Sequence, residues 1–185
     1  LLAKTKEFGF PVKHTEKGLV IVTVKGKDDE HQRMVTAHVD TLGAMVRAVK
    51  PSGRLKLAQL GGYPWNMIEG ENCLVHTADG KKIGGTILIH QTSCHVYKDA
   101  GTAERNQDNM EVRLDEKVTN EAETRALGIE VGDFVSFDPR TLITEKGFVK
   151  SRFLDDKASV AILLDILDRI SKEKIELPYT THFAF

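Results

Sequence analysis

What most constrains the fold is a change of texture at two points along the chain. Residues 1–44 and 148–185 alternate between helical periodicity and strands rich in β-branched residues, whereas residues 45–147 run as short alternating segments broken by glycine. An α/β pattern that stops and later resumes implies one discontinuous domain, 1–44 with 148–185, carrying a β-rich insertion domain at 45–147. The 185 residues suffice for one sizeable core or two small ones.

Within the first segment, Gly9 and Pro11 mark a turn and residues 19–24 read as a strand. The charged run 25–30 then reads as a hairpin turn into the apolar residues 34–38, expected as a buried central strand. In the insertion, residues 54–57 alternate, and 73–77 and 82–89 read as strands joined by an Asp79-Gly80 hairpin. Gly84 and Gly85 suggest a bulge. Residues 121–127 carry a helix signature, with Asn120 and Glu123 spaced as a capping box and Gly128 as its stop. Residues 134–137 form a further strand.

After Gly147, the apolar residues Val160, Leu163, Leu164, Leu167 and Ile170 recur at three and four over 157–172, the pattern of a helix packed on a sheet. A last strand begins near Tyr179. The opening residues read as the end of a helix and the closing ones as the inside of a strand, so the sequence is expected to be part of a longer protein.

Composition excludes some partners. Lys and Arg number 26 against 27 Asp and Glu, a net charge of -1, which gives no overall basic field for a nucleic acid. No apolar run approaches the ~18 residues of a membrane span. Cys73 and Cys94 have no C-x-x-C spacing and imply no disulfide framework, which fits a reducing cytoplasm.

Two motifs carry chemistry. In His38-Val39-Asp40 the period of an extended chain puts both side chains on one side of a strand end, where His38 can bind a metal and Asp40 can orient its ring. Taken alone, the tripeptide also reads as a chance pair. Asp155 and Asp156 stand where a loop enters a helix, so that one carboxylate can bridge two ions, or both can simply cap the helix. His182 lies inside a strand and reads as structural. His90, Cys94 and His95 are irregularly spaced and suit a turn or interface. Asp108, Glu111, Asp115 and Glu116 read as a solvated acidic face, and Trp65 and Met67 as packing residues of the insertion.

The ordered set Ala37-His38-Val39-Asp40-Thr41-Leu42-Gly43, Gly61-Gly62, Gly80-Lys81, Ala126-Leu127-Gly128 with Gly132-Asp133, and Arg152-Phe153-Leu154-Asp155-Asp156-Lys157 resembles the tetrahedral (TET) aminopeptidases, peptidase family 42 of the co-catalytic metallopeptidases. The resemblance spans essentially the whole chain. It implies an α/β, phosphorylase/hydrolase-like metallopeptidase sheet domain, partial here, interrupted by a barrel-like dimerisation domain. It further implies His38 as a ligand of one metal, Asp155 as the carboxylate bridging two, Asp40 as the catalytic-site residue orienting His38, and Asp156 as a supporting residue. The implied cofactors are two divalent ions, zinc or cobalt, and the implied substrate is a peptide cleaved at its N-terminus. Dimers would assemble into a cytoplasmic dodecamer, and the catalytic Glu and remaining ligands would lie beyond Phe185. One rival reading is a noncatalytic binding module, which metal content would distinguish. Another is a glycoside hydrolase, whose two flanking carboxyl groups find no match in the adjacent Asp155 and Asp156.

Overall fold

The computed structural model describes all residues, 1–185, and the chain divides into two compact units. One joins Leu1–Asp40 to Ser151–Phe185, and the other is Thr41–Lys150. In chain order the elements are α1 (Leu2–Lys6), β1 (Val12–His14), β2 (Val20–Val24), β3 (Gly26–Thr36), β4 (Gly43–Val49), β5 (Leu55–Leu60), β6 (Asn72–His76), β7 (Lys82–Ile89), β8 (Met110–Leu114), α2 (Glu121–Ala126), β9 (Phe134–Phe137), β10 (Leu142–Ile143), β11 (Val149–Lys150), α3 (Leu154–Glu173) and β12 (Leu177–Ala184).

The discontinuous unit is a four-stranded sheet of order β1-β2-β12-β3. The strand β12 runs antiparallel to β2 and parallel to β3, so the mixed sheet has one parallel pair. Helix α3 presents Val160, Leu167 and Ile170 to Val22, Val24, Phe183 and Phe185, while Leu163 and Leu164 pack at the margin of this core. Leu167 is fully buried, a contribution of about 2 kcal/mol for one leucine side chain.

The charged run after β2 makes no hairpin. Only Lys25 separates β2 from β3, and β12 enters between the two strands. Nor is β3 a buried central strand: it is the sheet edge, with Met34 58% exposed. Its charged residues belong there, because solvated charges keep an edge from pairing with other chains. The register between β3 and β12 jumps from Asp28↔Tyr179 to Arg33↔Thr181. The extra residues fold over Asp28, whose carboxylate accepts the amides of Glu30 and His31.

Gly26 is fixed by this pairing. A β-carbon at Gly26 would stand 2.2 Å from the Tyr179 carbonyl carbon and 2.6 Å from the Thr180 nitrogen. These are backbone atoms, which cannot swing aside. Gly26→Ala is therefore expected to destabilise the protein by about 1–3 kcal/mol through overpacking, read as a lower urea midpoint. An unchanged midpoint would show that the β3–β12 pairing is looser than this.

The second unit is a closed barrel of order β4-β5-β8-β7-β6-β9. Alternation fills it: Ile83, Ile87 and Ile89 of β7 are buried, as are Leu55, Leu57, Val75, Met110, Val112 and Val135 on the other strands. Gly84 and Gly85 make no bulge, since the β6–β7 register is continuous from Asn72↔Thr86 to His76↔Lys82. Gly85 instead admits a close approach of β8, where a β-carbon would lie 2.9 Å from the Arg113 carbonyl oxygen. The register irregularity lies between Val46 and Ala48 on β4. Helix α2 begins as its sequence indicates, with the Asn120 side-chain oxygen Oδ1 accepting the Glu123 amide at 3.0 Å. The reciprocal bond goes one residue further back, from the Thr119 amide to the Glu123 carboxylate.

Two strands of the barrel, β4 and β8, have no counterpart in the sequence reading. Asp108, Asp115 and Glu116 are exposed, but Glu111 is not part of a solvated face. It lies on β8 with its side chain 3% exposed, bonded to Lys50 and Arg54. Trp65 packs edge-on against Tyr63, whereas Met67 is 57% exposed.

Candidate metal centre

The candidate residues all fall in the discontinuous unit, at the carboxyl end of its parallel pair. The β3–β12 ladder closes with the Ala37 amide donating to the Ala184 carbonyl at 3.0 Å, and His38 is the next residue out. Functional residues gather at such carboxyl ends because the chain there leaves the sheet and is free to present side chains. From the other side, α3 begins with two residues outside helical geometry, Asp155 (φ -86°, ψ 104°) and Asp156 (φ -122°, ψ 22°). Both carboxylates are thereby delivered to the segment that follows β3.

The imidazole of His38 lies between two carboxylates. Its Nδ1 is 3.2 Å from Asp40 Oδ1, and its Nε2 is 3.2 Å from Asp155 Oδ1. His38 and Asp155 thus come far closer than the ~10 Å at which two residues stop sharing a site of ~2 Å zinc bonds. Asp155 is almost fully exposed and His38 about half exposed. Asp156 takes a different place. Its Oδ2 accepts the backbone amide of His38 at 3.3 Å, and its carboxyl also bonds Ser159.

Electrostatics follow from this placement. Desolvation pulls the His38 pKa down, but Asp40, Asp155 and Asp156 outweigh it and the net shift is upward. The Asp156 carboxyl is held below its ordinary range, first by Ser159 and then by the His38 amide and ring.

The arrangement fits a cation. When Nδ1–H of a neutral His38 donates to Asp40, the Nε2 lone pair faces an oxygen of Asp155, so two acceptors confront each other. Only a positive centre between them, a proton or a metal ion, makes that contact favourable. Two ligands bound ~2.0–2.1 Å from a tetrahedral ion stand about 3.3 Å apart, close to the 3.2 Å seen. Asp40 on the second ring nitrogen is the carboxylate–histidine pairing that fixes a ligand's tautomer. No group of three or more His, Cys, Asp or Glu side chains is placed to hold a metal ion.

The other histidines lie elsewhere. His182 is bonded through Nδ1 to Thr23 and through Nε2 to Gln32, within the sheet. His90 contacts the Asn109 carbonyl, and Cys94 and His95 are exposed in the barrel unit. Ser159 was not singled out from sequence, although Asp156-x-x-Ser159 has the N-cap to N3 spacing at which a side chain and a helix start meet.

The family model described as M42 glutamyl aminopeptidase matches residues 18–185. YhfE of Bacillus subtilis (strain 168), a protein provisionally named as an aminopeptidase, is 61% identical over 178 residues, which is 96% of this chain and 51% of YhfE. Among solved structures, the TET aminopeptidase of the marine sediment archaeon Thaumarchaeota archaeon SCGC AB-539-E09 superposes with a TM-score of 0.87 at 22% identity, covering 98% of this chain and 50% of that one. The TET1 peptidase of Pyrococcus horikoshii, which can assemble into a tetrahedron or a large octahedral shell, gives 0.80 at 21% identity, covering 100% and 52%. This chain spans about half the length of the curated relatives it matches.

Proposed function

Since the chain belongs to the M42 glutamyl aminopeptidase family, we propose that it is part of a metal-dependent aminopeptidase that removes N-terminal residues from peptides. The observation that carries this reading is the 3.2 Å approach of His38 Nε2 and Asp155 Oδ1, with Asp40 on the far nitrogen of the same ring. His38 and Asp155 would hold the metal, Asp155 as the bridge between two ions. Two divalent ions, zinc or cobalt, supply Lewis acidity toward the scissile carbonyl and toward a water when bound. Asp40 keeps the proton of His38 on Nδ1, so that Nε2 offers its lone pair to the site. Asp156 holds the His38 main chain.

A catalytic zinc takes three protein ligands, and hydrolysis needs a positioned proton acceptor. His38 and Asp155 meet neither requirement in full. We assign the barrel unit to subunit contacts and the whole protein to a cytoplasmic homo-oligomer. The tetrahedral assembly of the P. horikoshii peptidase supports a dodecamer, because a closed tetrahedral arrangement of equivalent subunits has twelve members. No helix is long and apolar enough to cross a membrane.

The test is metal removal from the full-length protein. Dialysis against a chelator is expected to abolish hydrolysis of an aminoacyl substrate, and zinc or cobalt should restore it at two ions per chain. Turnover that survives chelation, or a protein that binds no metal, would overturn the reading.

A further inference from the structure

Asp156 and Asp155 are neighbours in sequence but act on different atoms of one residue. Asp155 reaches the ring of His38, whereas Asp156 accepts its amide. That amide is the first beyond the sheet: Ala37 still donates to Ala184, and the ladder stops there. A main chain leaving a sheet edge has no further ladder partner to fix its path, so the direction of the His38 side chain depends on what catches the next N–H. Asp156, 118 positions away, does so. The same carboxyl is tied to Ser159 one turn into α3, and the regular helix begins only after Asp156. Asp156 is moreover half-buried where Asp155 is exposed. One carboxylate therefore couples the start of α3, which sets Asp155, to the end of β3, which sets His38.

Resting on the metal-centre reading above, we propose that Asp156 is a positioning residue rather than a metal ligand: by holding the His38 amide against the start of α3 it sets the separation of His38 Nε2 and Asp155 Oδ1, and hence metal affinity. The chemical class of the ligand so served is a divalent cation of zinc or cobalt type. Outer-shell partners of ligands typically influence affinity by about 10–100-fold.

In the full-length protein, Asp156→Ala is expected to weaken zinc binding, measured by competition with a chromophoric chelator, by about 10–100-fold and to alter the visible absorption of the cobalt-loaded protein. Asp156→Asn keeps an oxygen acceptor for the amide and should retain affinity within about threefold of wild type, under a tenth of the alanine effect at its upper end. Ser159→Ala removes the hydroxyl that ties this carboxyl to the helix start but leaves the His38 amide its acceptor, and should weaken zinc binding by less than Asp156→Ala does. Wild-type affinity and spectrum in Asp156→Ala would overturn the proposal, as would an Asp156→Asn protein as impaired as the alanine variant. If the unaltered protein binds neither metal, the metal-centre reading fails first and this inference with it.

Discussion

Alanine at His38 or Asp155 in the full-length protein is expected to lower the aminopeptidase rate by about 10³-fold or more, and asparagine at Asp40 by only about 10–100-fold. The larger figure follows from the several kcal/mol of charge stabilisation a metal ion provides, since about 4 kcal/mol is about three powers of ten. On the proposed assignment, His38→Ala removes one nitrogen ligand from one ion. Asp155→Ala would remove the carboxylate proposed to bridge two ions, so both ions should be affected and the metal content should fall further. Asp40→Asn leaves both ligands in place and still accepts a bond from Nδ1, weakening only the hold on the tautomer. Elemental analysis beside initial rates separates these outcomes. Wild-type rates in all three variants would refute the assignment of the site.

The contact between His38 and Asp155 was legible in the sequence because each half of it is local. A His-x-Asp at the end of an apolar run and an acid pair before an amphipathic helix declare their positions through strand and helix periods. Only their meeting needed the fold, and the return of α/β texture after the insertion implied it. What Asp156 does was not legible, because an amide has no side-chain signature and its partner stands 118 positions away. The edge position of β3 failed for a related reason. Its neighbour is β12, so a strand adjacent to β2 in sequence is separated from it in space by the last strand of the chain. Charges on both faces of residues 28–33 carried that information, yet they read equally well as a turn. In the barrel, the alternation of β7 was plain, while β8 was concealed by the acidic residues around it.

Glu111 is where that concealment matters most, and its replacement should have the largest effect on stability. Its carboxylate is 3% exposed and accepts from Lys50 Nζ and Arg54 Nη1, both at 2.5 Å, across 61 and 57 positions of sequence. It pairs with Lys56 on β5 and Leu88 on β7, so it ties the ladder at the middle of the barrel. Glu111→Gln puts a neutral amide against two cations and leaves their charge unpaired. Breaking a buried pair costs about 3–5 kcal/mol, and the lower end applies because Lys50 and Arg54 remain partly open to water. Burial alone would raise the Glu111 pKa, but the bonds to Lys50 and Arg54 prevail and the net shift is downward. A carboxyl whose folded pKa is depressed stabilises the protein above its unfolded pKa of about 4.3 and loses that contribution as pH falls through the lower folded value. The difference in unfolding free energy between wild type and Glu111→Gln should therefore be full at neutral pH and shrink on acidification below about pH 4.3. Urea titrations of both full-length proteins at neutral and acid pH measure it directly. A difference that stays constant across that range would show that Glu111 contributes by shape, and that its charge is not what holds Lys50 and Arg54 to the barrel.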